Sequence, residues 1–412
     1  MKRRVVITGL GTINPLGNNV ESTWTGAKSG RNGIDYIKRF DTKNIDVKIA
    51  GEIKDFDFLA YFGKKQIRRM DRFTQLAVIA SDEAIEDSKL DLDKVDKTRV
   101  GVYYSSGIGG LETIAEQEDK AVAKGHNRIS PFFIPMSIIN IAPGTIAIKY
   151  GFKGMATASV TACASATNTI GDAFRSIRDG YLDFAIAGGS EASITELGLS
   201  GFKVMQALSN EDDPNKASTP FDLNRSGFVM GEGAATLVLE TLEHAQQRNA
   251  HIYAEIVGYG ATCDANHITS PDPLGEGAKN CMHQAVLDAG LSLDDVGYIN
   301  AHGTSTPLND KTETLAISRL FESHAKNISI SSTKSMTGHL LGASGALEAV
   351  FSVLALKDGF IPPTINYQTF DRECDLDYTV NKGKEKNIMV ALSNSLGFGG
   401  HNATLAFRKW DV

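Results

Sequence analysis

The sequence predicts an α/β fold in which helices cover β-sheets, and two observations support this prediction. Short runs of strand-forming residues alternate with stretches of helical periodicity through all 412 residues, without a low-complexity linker. The chain also carries a faint internal echo. The segments FRSIRDG (174–180) and VFSVLALKDG (350–359) each end a predicted helix that follows a stretch rich in Ser, Thr and Gly. Two similar halves, each supplying a helix N-terminus to one site, would explain this echo.

Nine runs are predicted to be strands because they are rich in β-branched and aromatic residues. In chain order they are RVVITG, RVGVYYSS, DFAIAGG, AATLVLET, AEIVGYG, VGYINA, NISISS, MVALSNS and ATLAFRK. Apolar residues at helical spacing predict helices over residues 73–88, 163–178, 276–289, 310–321 and 341–357.

The bulk composition is ordinary for a soluble globular protein, with 42% hydrophobic and 22% charged residues. The net charge of −7 provides no basic field for nucleic acid, and the apolar run VFSVLAL (350–356) is too short to cross a bilayer. The N-terminal residues enter a strand at once, which argues against a signal peptide. Four separated cysteines fit a reducing compartment: Cys163, Cys263, Cys281 and Cys374. We therefore expect a cytoplasmic protein that binds neither nucleic acid nor a membrane.

Cys163 stands among small residues at the start of a predicted helix, in the stretch VTACASA. A buried structural cysteine would pack equally well almost anywhere on that helix. At the helix N-terminus, backbone N–H groups and the helix dipole stabilise an anion. The position therefore predicts a lowered thiol pKa and a nucleophilic role.

Two histidines occupy settings that suit a functional site. His302 follows a predicted strand and precedes a glycine in YINAHGTST, although a hydrogen-bonded loop histidine would fit the same place. His339 and Lys334 lie in a Ser/Thr/Gly-rich loop just before a predicted helix, where Lys334 alone would suggest a surface residue. One cysteine and two histidines could also bind zinc, with Glu313 as a fourth ligand.

The segment VVITGLGTIN (5–14) has the first two glycines of a dinucleotide-binding fingerprint. Asn14 stands where the third glycine would be, and Pro15 follows it. A dinucleotide site requires a helix N-terminus at this point, so we reject that interpretation.

Four motifs occur together in this chain: VTACAS, NAHGTST, SSTKSMTGHLLGASG and NSLGFGGHN. In this order they resemble the β-ketoacyl-acyl-carrier-protein synthases, and the resemblance extends from RVVITGLG to NATLAF. The segments SSGIGG (105–110) and SPFF (130–133) are more similar to the synthase II branch than to the synthase I branch.

The resemblance implies a thiolase fold, in which two duplicated halves form five αβαβα layers. The expected halves are residues 1–250, which carry the nucleophilic cysteine, and residues 251–412, which carry the two histidines. The resemblance also implies a homodimer.

The family's catalytic triad corresponds to Cys163, His302 and His339. The resemblance implies that Cys163 takes an acyl group from acyl carrier protein, and that the two histidines stabilise the enolate formed when a malonyl thioester loses CO2. The backbone N–H groups of Cys163 and Phe398 would form the oxyanion hole, and Phe398 would also act as a gate. Lys334 and Glu313 would support the histidines.

The same resemblance implies a substrate-binding set around the triad. Thr304 and Thr306 would bind the pantetheine arm, and Ile108, Phe133 and Phe202 would line the acyl pocket. Phe133 would come from the second copy of the dimer. The remaining members of this set are His267, Gly399 and Gly400.

No cofactor is expected, but a buried monovalent cation is implied at Asn300, Glu348 and Asn394. This implication comes from the position of these residues in relatives.

A basic segment, GKKQIRRMDR (63–72), is the expected docking surface for an acidic carrier protein. As a bare charge run it would suggest a solvated helix. On one helix, Lys65, Arg68, Arg69 and Arg72 would share a face. The complete expected docking set is Lys64, Lys65, Arg68, Arg69, Arg128 and Lys203. Gln206 departs from the family pattern, since relatives often carry a basic residue there.

The implied function is chain elongation in fatty acid synthesis, giving a 3-oxoacyl product and CO2. A stand-alone polyketide ketosynthase is an alternative within the same family. A non-catalytic chain-length partner usually lacks the cysteine, and chain-starting enzymes normally carry a Cys-His-Asn set, so the three triad residues argue against both.

Overall fold

A computed structural model describes residues 2–411 as fourteen strands and thirteen α-helices. The strands are β1 (Val5–Ile13), β2 (Asp35–Tyr36), β3 (Ile49–Ala50), β4 (Val100–Ser105), β5 (Ala156–Thr157), β6 (Phe184–Glu191), β7 (Gly233–Thr241), β8 (Ala254–Cys263), β9 (Val296–Asn300), β10 (Ser329–Ser331), β11 (Phe360–Ile361), β12 (Lys384–Glu385), β13 (Val390–Gly397) and β14 (His401–Lys409). The helices are α1 (Val20–Lys28), α2 (Phe58–Ile67), α3 (Arg72–Ser88), α4 (Leu111–Lys124), α5 (Phe133–Ser137), α6 (Ile141–Tyr150), α7 (Ser165–Arg178), α8 (Glu196–Val204), α9 (Leu242–Gln247), α10 (Glu276–Asp288), α11 (Pro307–Phe321), α12 (Lys334–Thr337) and α13 (Ser344–Asp358).

All nine predicted strands and all five predicted helices are present. The helix predicted from residue 310 begins earlier, at Pro307, because proline is well suited to the first turn of a helix. The helices predicted from residues 163 and 341 are each preceded by a one-turn 3₁₀ segment, at Ala162–Ala164 and Leu341–Ala343.

Ten of the strands form one mixed sheet, and its two halves have the same topology. The first half has the order β1-β7-β6-β4-β5 and the second the order β8-β14-β13-β9-β10. In both halves the first two pairings are antiparallel and the next two are parallel. The halves join where β1 pairs with β8 in antiparallel register. This repetition supports the duplication suggested by the internal echo.

Glycines on the two joining strands repeat as well. A Cβ atom on Gly9 or Gly11 of β1 would collide with backbone oxygens of α3, and one on Gly258 or Gly260 of β8 would collide with backbone oxygens of α10. These glycines therefore allow a helix to pack directly on each strand. This explains the GxG of the N-terminal segment without a dinucleotide.

Helices cover both halves and separate them. α3 and α6 pack on the first half, α10 packs on the second with α11 beside it, and α7 and α13 contact strands of both halves. The result is the five-layered thiolase-like arrangement, which confirms the predicted fold class. The assignment of residues 1–250 and 251–412 to two domains stays a prediction. None of the helices within residues 2–411 is both long enough and apolar enough to span a bilayer.

Candidate active site

Cys163 lies in the 3₁₀ turn that leads into α7, on a strained piece of backbone. Ala162, just before it, has φ +51°, a conformation that costs an L-residue roughly 1–2 kcal/mol. Ser165 stabilises the turn: its hydroxyl accepts from the N–H of Thr161 at 2.9 Å and donates to the carbonyl of Ala162 at 2.6 Å. The nucleophile is thus presented on a fixed elbow at the start of a central helix.

The elbow meets both predicted catalytic histidines in one cavity of about 570 Å³. The Cys163 Sγ and one ring nitrogen from each of His302 and His339 lie within 4.8 Å of one another. The two imidazole rings are 5.3 Å apart between centroids and nearly perpendicular, at 84°. The structure therefore brings the three residues together, although they are far apart in sequence.

His302 is positioned by a buried carboxylate behind it. Glu313, on α11, accepts hydrogen bonds from the backbone N–H groups of His302 and Gly303, both at 2.9 Å. Asn394 donates to the same carboxylate at 3.2 Å. Burial raises the pKa of Glu313, and these donors oppose that shift. Glu313 therefore acts through the backbone of the loop and does not face the cavity.

His339 is oriented through its own backbone and ring. Its N–H donates to the carbonyl of Val229 at 2.7 Å. Its Nδ1 is 2.8 Å from the hydroxyl of Ser344, the first residue of α13. When Nδ1 accepts from this hydroxyl, the ring proton is on Nε2, where it can be donated into the cavity.

Both histidines are neutral at physiological pH. Burial holds the pKa of His302 and of His339 well below the usual range, and the charge of Lys334 lowers both further. Lys334 is itself buried and forms an ion pair with Glu348. A neutral imidazole can donate one N–H without carrying a charge, which suits an oxygen on which negative charge develops.

The thiol itself differs from the sequence-based expectation. Burial raises the pKa of Cys163 to about 12. Lys334 and the N–H groups of Phe398 and Cys163 lower it, but by less, and the carboxylate of Glu191 raises it further. The predicted lowering of the pKa is therefore wrong, because desolvation outweighs the helix N-terminus. The resting nucleophile is a thiol.

The predicted oxyanion hole has the required close backbone approach. Gly397 ends β13 directly against the elbow: a Cβ placed on it would lie 2.8 Å from the carbonyl oxygen of Thr161 and 3.2 Å from the nitrogen of Cys163. The absence of a side chain there lets the N–H groups of Phe398 and Cys163 converge at the sulfur.

The cavity lining around the thiol has a polar part and an apolar part. In the polar part, the hydroxyl oxygens of Thr304 and Thr306 are 2.9 Å apart. The apolar part, called its inner end below, is lined by the buried Phe228 and Leu341 and by Phe202, whose ring centroid is 6.4 Å from that of Phe398. Ile108 packs on the same apolar cluster as Phe202, Phe228 and Leu341 without lining the cavity itself.

Besides Ile108, three predicted substrate-binding residues lie outside the cavity lining. Phe133 begins α5, which packs on α4. His267 is exposed, and its Nδ1 accepts from the N–H groups of Thr269 and Ser270, both at 3.1 Å. Its role in the fold is therefore to shape the cavity rim. The N–H of Gly399 donates to the carbonyl of Ile268 on the same rim. Gly400, in contrast, lines the cavity as predicted for a substrate-binding residue.

The predicted basic face on one helix is wrong. α2 ends at Ile67 and α3 begins at Arg72, with the side chain of Asp71 capping α3. Arg72 turns inward, because its guanidinium binds both oxygens of the buried Glu232, at 2.7 and 2.8 Å. Arg72 is therefore a structural residue.

The rest of the docking set remains at the surface. The exposed residues are Lys64, Lys65, Arg68, Arg69 and Arg128. The guanidinium of Arg69 lies 4.9 Å above the ring of Phe132, which brings the end of α2 close to the loop of Arg128. Lys203 is half-buried and donates to Asn210 at 3.1 Å. Gln206 lines the cavity.

The three residues predicted to hold a cation are all buried, and the amide of one of them, Asn394, is hydrogen-bonded to Glu313 and Thr404. Within residues 2–411, neither polar atom of the Asn300 amide has a hydrogen-bond partner, and the same is true of the Glu348 Oε2 and the Ser393 hydroxyl. Asn300 and Ser393 are opposite one another on β9 and β13. Burial raises the pKa of Glu348 to about 7, although Lys334 opposes the shift. Oxygen atoms without partners fit a hard cation.

Glu313 is not placed to act as the fourth ligand of a zinc site. Among the described residues, no carboxylate joins Cys163, His302 and His339 in the cluster of ligand atoms. Glu313 is occupied by the backbone of residues 302–303 and by Asn394.

Sequence reasoning missed several residues that build the site. Ser344 orients His339, and Glu191 places a carboxylate near the thiol. Gly397, which has no side chain, leaves room for the turn that carries Cys163. The Gly-Phe-Gly-Gly motif could have indicated Gly397. Nothing local marks Glu191, because all of its hydrogen-bond partners except Ser193 come from distant segments.

Comparison with known proteins agrees with this geometry. Residues 2–245 match the family described as Beta-ketoacyl synthase, N-terminal domain, and residues 253–368 match Beta-ketoacyl synthase, C-terminal domain. The chain belongs to the beta-ketoacyl synthase family. The resemblance inferred from the motifs is thereby confirmed, and this ketosynthase is an acyltransferase.

Curated relatives cover the whole ketosynthase. The chain is 52% identical over 410 residues to 3-oxoacyl-[acyl-carrier-protein] synthase 2 of Staphylococcus aureus (strain COL), covering 100% of this chain and 99% of the relative. It is also 52% identical over 410 residues to the protein of that name from Synechocystis sp., covering 99% of each.

Solved structures have the same fold. A type II PKS acyl-carrier protein in complex with its ketosynthase bound to the hexaketide matches with a TM-score of 0.91 and 34% identity, covering 100% of both chains. A beta-ketoacyl synthase from Burkholderia phymatum STM815 matches with the same TM-score, identity and coverage.

Proposed function

We propose that this ketosynthase elongates fatty acyl chains by decarboxylative condensation, with acyl carrier protein presenting both substrates. The observation that carries the proposal is the convergence of the Cys163 Sγ with two neutral histidines at one end of an apolar cavity. The name shared by the relatives at 52% identity supports the carrier protein and the 3-oxoacyl product.

The first step transfers the acyl group to the enzyme. The thiol proton of Cys163 passes to a ring nitrogen of His302, because the Nε2 of His339 already carries a proton, and Sγ attacks the thioester carbon of the acyl carrier protein. The N–H groups of Cys163 and Phe398 stabilise the oxyanion. The bond from carbon to the carrier sulfur then breaks, and the departing thiolate takes up the proton.

The second step uses the histidines as hydrogen-bond donors. His302 and His339 donate to the carbonyl oxygen of a malonyl thioester, the bond to the carboxylate breaks, and CO₂ leaves an enolate. The enolate carbon attacks the acyl-enzyme, and the carbon–Sγ bond breaks. The cysteine thiolate takes a proton from water, and the product is a 3-oxoacyl thioester on the carrier.

The fatty acid assignment is supported over the polyketide alternative by identity. The relatives named 3-oxoacyl-[acyl-carrier-protein] synthase 2 are 52% identical to this chain, whereas the polyketide ketosynthase structure is 34% identical. An intact triad argues against the non-catalytic partner. Four cysteines without disulfides in the described chain support the cytoplasm as the compartment.

Intact-protein mass spectrometry tests the proposed function. Incubation with hexadecanoyl-acyl carrier protein should add one acyl group to the wild type and none to Cys163→Ala. Malonyl-acyl carrier protein should then discharge the adduct and release a 3-oxoacyl product. A wild type that takes no acyl group, or an adduct that persists with malonyl carrier, would exclude this reaction.

The carrier protein is proposed to dock on the basic surface formed by Lys64, Lys65, Arg68 and Arg69. Replacing Lys65, Arg68 and Arg69 with Glu should weaken binding at low salt by about tenfold or more, since surface charges steer acidic partners. The difference should shrink as salt is added. Binding is measured by fluorescence anisotropy of labelled carrier protein.

Lys94→Glu is the matched control for the docking surface. Lys94 is exposed and precedes β4, so it lies at the opposite end of that strand from the cavity. The single variant Lys65→Glu changes the net charge by the same amount as Lys94→Glu, so equal losses in these two variants would assign the effect to net charge instead of to a docking surface.

A homodimer is proposed at the open edge of the sheet. β5 is the last strand on this edge, and apolar side chains flank it at Met155, Val160 and Ile148, which are 58%, 48% and 82% exposed. Phe133 would reach its pocket only from the partner copy, which fits its position outside this chain's own cavity. Native mass spectrometry should show a species of twice 44.3 kDa. A monomer at micromolar concentration would refute this assembly.

A monovalent cation is proposed at Asn300, Glu348 and Asn394, where it would neutralise part of the buried carboxylate charge. No catalytic step depends on it. The thermal midpoint should be higher in potassium or sodium chloride than in an equal concentration of tetramethylammonium chloride, because binding to the native state stabilises it. Identical midpoints in all three salts would contradict the site.

A further inference from the structure

Glu191 is a fully buried carboxylate that the mechanism does not use. It ends β6, and it accepts hydrogen bonds from two serine hydroxyls, Ser106 at 2.8 Å and Ser193 at 3.1 Å. It also accepts from the backbone N–H groups of Gly107 at 2.7 Å, Gly342 at 3.0 Å and Ile108 at 3.3 Å. Burial raises the pKa of Glu191, and the bonds from Ser106, Gly107, Gly342 and Ser193 oppose the shift, since a carboxylate accepts them better than a neutral acid does.

These donors come from the two halves of the fold. Residues 106–108 follow β4 in the first half, and Gly342 belongs to the 3₁₀ turn before α13 in the second half. One carboxylate therefore links the segment of Ile108 to the turn of Leu341. Leu341 lines the cavity, and Ile108 packs on the apolar cluster that forms its inner end.

The duplicated topology shows what kind of position Glu191 occupies. The turn at Leu341–Ala343 corresponds to the elbow at Ala162–Ala164, and its first residue also has positive φ, +47° at Leu341 against +51° at Ala162. In the first turn the middle residue is Cys163 and faces the end of β13. In the second it is Gly342, and its N–H points at the carboxylate that ends β6. The turn of the second half thus binds a permanent anion, the Glu191 carboxylate. The corresponding turn of the first half is proposed to bind a transient anion, the oxyanion formed during acyl transfer.

The geometry points to Glu191 as a positioning residue that sets which acyl chain lengths the cavity accepts. By fixing Gly107 and Gly342, it holds Ile108 and the strained Leu341 at the inner end of the cavity. A strained backbone conformation is stable only where the surrounding contacts fix it, and the hydrogen bond from Gly342 to Glu191 is one of the contacts that fix Leu341. The inference rests on the proposed function, because the cavity must hold an acyl chain.

Three variants distinguish the positioning role of Glu191 from the effect of its negative charge. Glu191→Gln removes the charge but keeps an oxygen for the Gly107 and Gly342 N–H groups. Its NH₂ can face the two serine hydroxyls, which rotate to accept, so that only the long 3.3 Å bond from the Ile108 N–H is lost. Glu191→Ala removes charge and bonds together. Gly342→Ala keeps the charge but displaces the linked segment, because its Cβ would collide with the backbone nitrogen of Gly107.

The readout is the ratio of kcat/KM for hexadecanoyl and octanoyl carrier protein. We expect Glu191→Ala and Gly342→Ala to shift this ratio by about tenfold or more, the order expected when the fit of methylene groups in an apolar pocket changes. Glu191→Gln should stay near the wild-type ratio. Gly201→Ala is the control, since a Cβ there meets no atom within 4 Å.

Alkylation of Cys163 by iodoacetamide provides a second readout. Because the Glu191 charge raises the pKa of Cys163, both Glu191 variants should react faster than the wild type at a fixed mildly alkaline pH. Gly342→Ala should react at the wild-type rate. A purely structural defect would not produce this pattern.

The outcomes are distinct. An unchanged chain-length ratio in folded Glu191→Ala and Gly342→Ala, or an equal shift in Glu191→Gln, would overturn the positioning role. If both alanine variants fail to fold, Ser106→Ala removes a single hydroxyl from the same carboxylate, and an unchanged ratio there would overturn it instead. A wild type that forms no acyl adduct would refute the proposed function, whereas an adduct with unchanged ratios would refute this inference alone.

Discussion

Replacing His339 with alanine is expected to slow the decarboxylation of malonyl-acyl carrier protein by about 100- to 1,000-fold. The imidazole is one of two N–H donors proposed to stabilise the enolate, and its orientation depends on Ser344 behind it. The loss should be large because the donor is buried, so water does not readily replace it. The measurement is CO₂ release from labelled malonyl carrier protein by the pre-formed acyl-enzyme.

His339→Asn is the matched control for this prediction. An asparagine amide can donate a hydrogen bond but cannot act as a base near neutral pH. If His339 acts as a donor, the asparagine variant should recover part of the lost rate. If alanine and asparagine are equally slow while acylation of Cys163 also fails, His339 would be the base of the first step, contrary to the proposed role.

The neutrality of the histidines gives this prediction a pH signature. Their pKa values are held below the usual range near 6.5, so the donor form persists as the pH falls through 6.5. Wild-type decarboxylation should therefore be flat across this interval. A rate that drops with an apparent pKa of about 6.5 or above would contradict the neutral state of the two imidazoles.

The sequence predicted the larger elements of the fold well, because their signals are local. α3, α7, α10, α11 and α13 are long and have regular apolar spacing, and the ten-stranded sheet uses mostly long strands. Eight helices went unpredicted: α1, α2, α4, α5, α6, α8, α9 and α12. All of these except α4, which has 14 residues, are shorter than the predicted helices. Several of these are stabilised by their neighbours more than by their own periodicity, as in α5, which has five residues and no side-chain cap.

The sequence motifs were sufficient to predict which residues form the site. They were not sufficient to predict its pKa values and ion pairs. The motif of each triad residue is short and contiguous, so residue type and position could be assigned. The thiol pKa depends on burial by segments from both halves of the chain, and the sequence suggested the opposite sign. Arg72 shows the same limit, since only the fold reveals that Glu232, on a distant segment, draws it inward.

Replacing Gly397 with alanine is expected to slow acylation of Cys163 by about 100-fold, within the range for loss of one oxyanion donor. The new methyl group would lie 2.8 Å from the carbonyl oxygen of Thr161 and 3.2 Å from the nitrogens of Cys163 and Ala164. The first distance is too short for a carbon–oxygen contact, so β13 must move away from the elbow. That movement withdraws the N–H of Phe398 from the sulfur. A mass-spectrometric time course with acyl carrier protein measures the rate.

Alkylation by iodoacetamide separates the oxyanion hole from the thiol. This reagent reacts by displacement at carbon and develops no carbonyl oxyanion, so Gly397→Ala should alkylate within a few-fold of the wild type. Gly201→Ala, where a Cβ meets open space, should leave both rates unchanged. If alkylation falls as far as acylation, the methyl group has displaced Cys163 itself. If neither rate falls, the N–H of Phe398 does not contribute to the oxyanion hole, and the backbone approach at Gly397 serves packing alone.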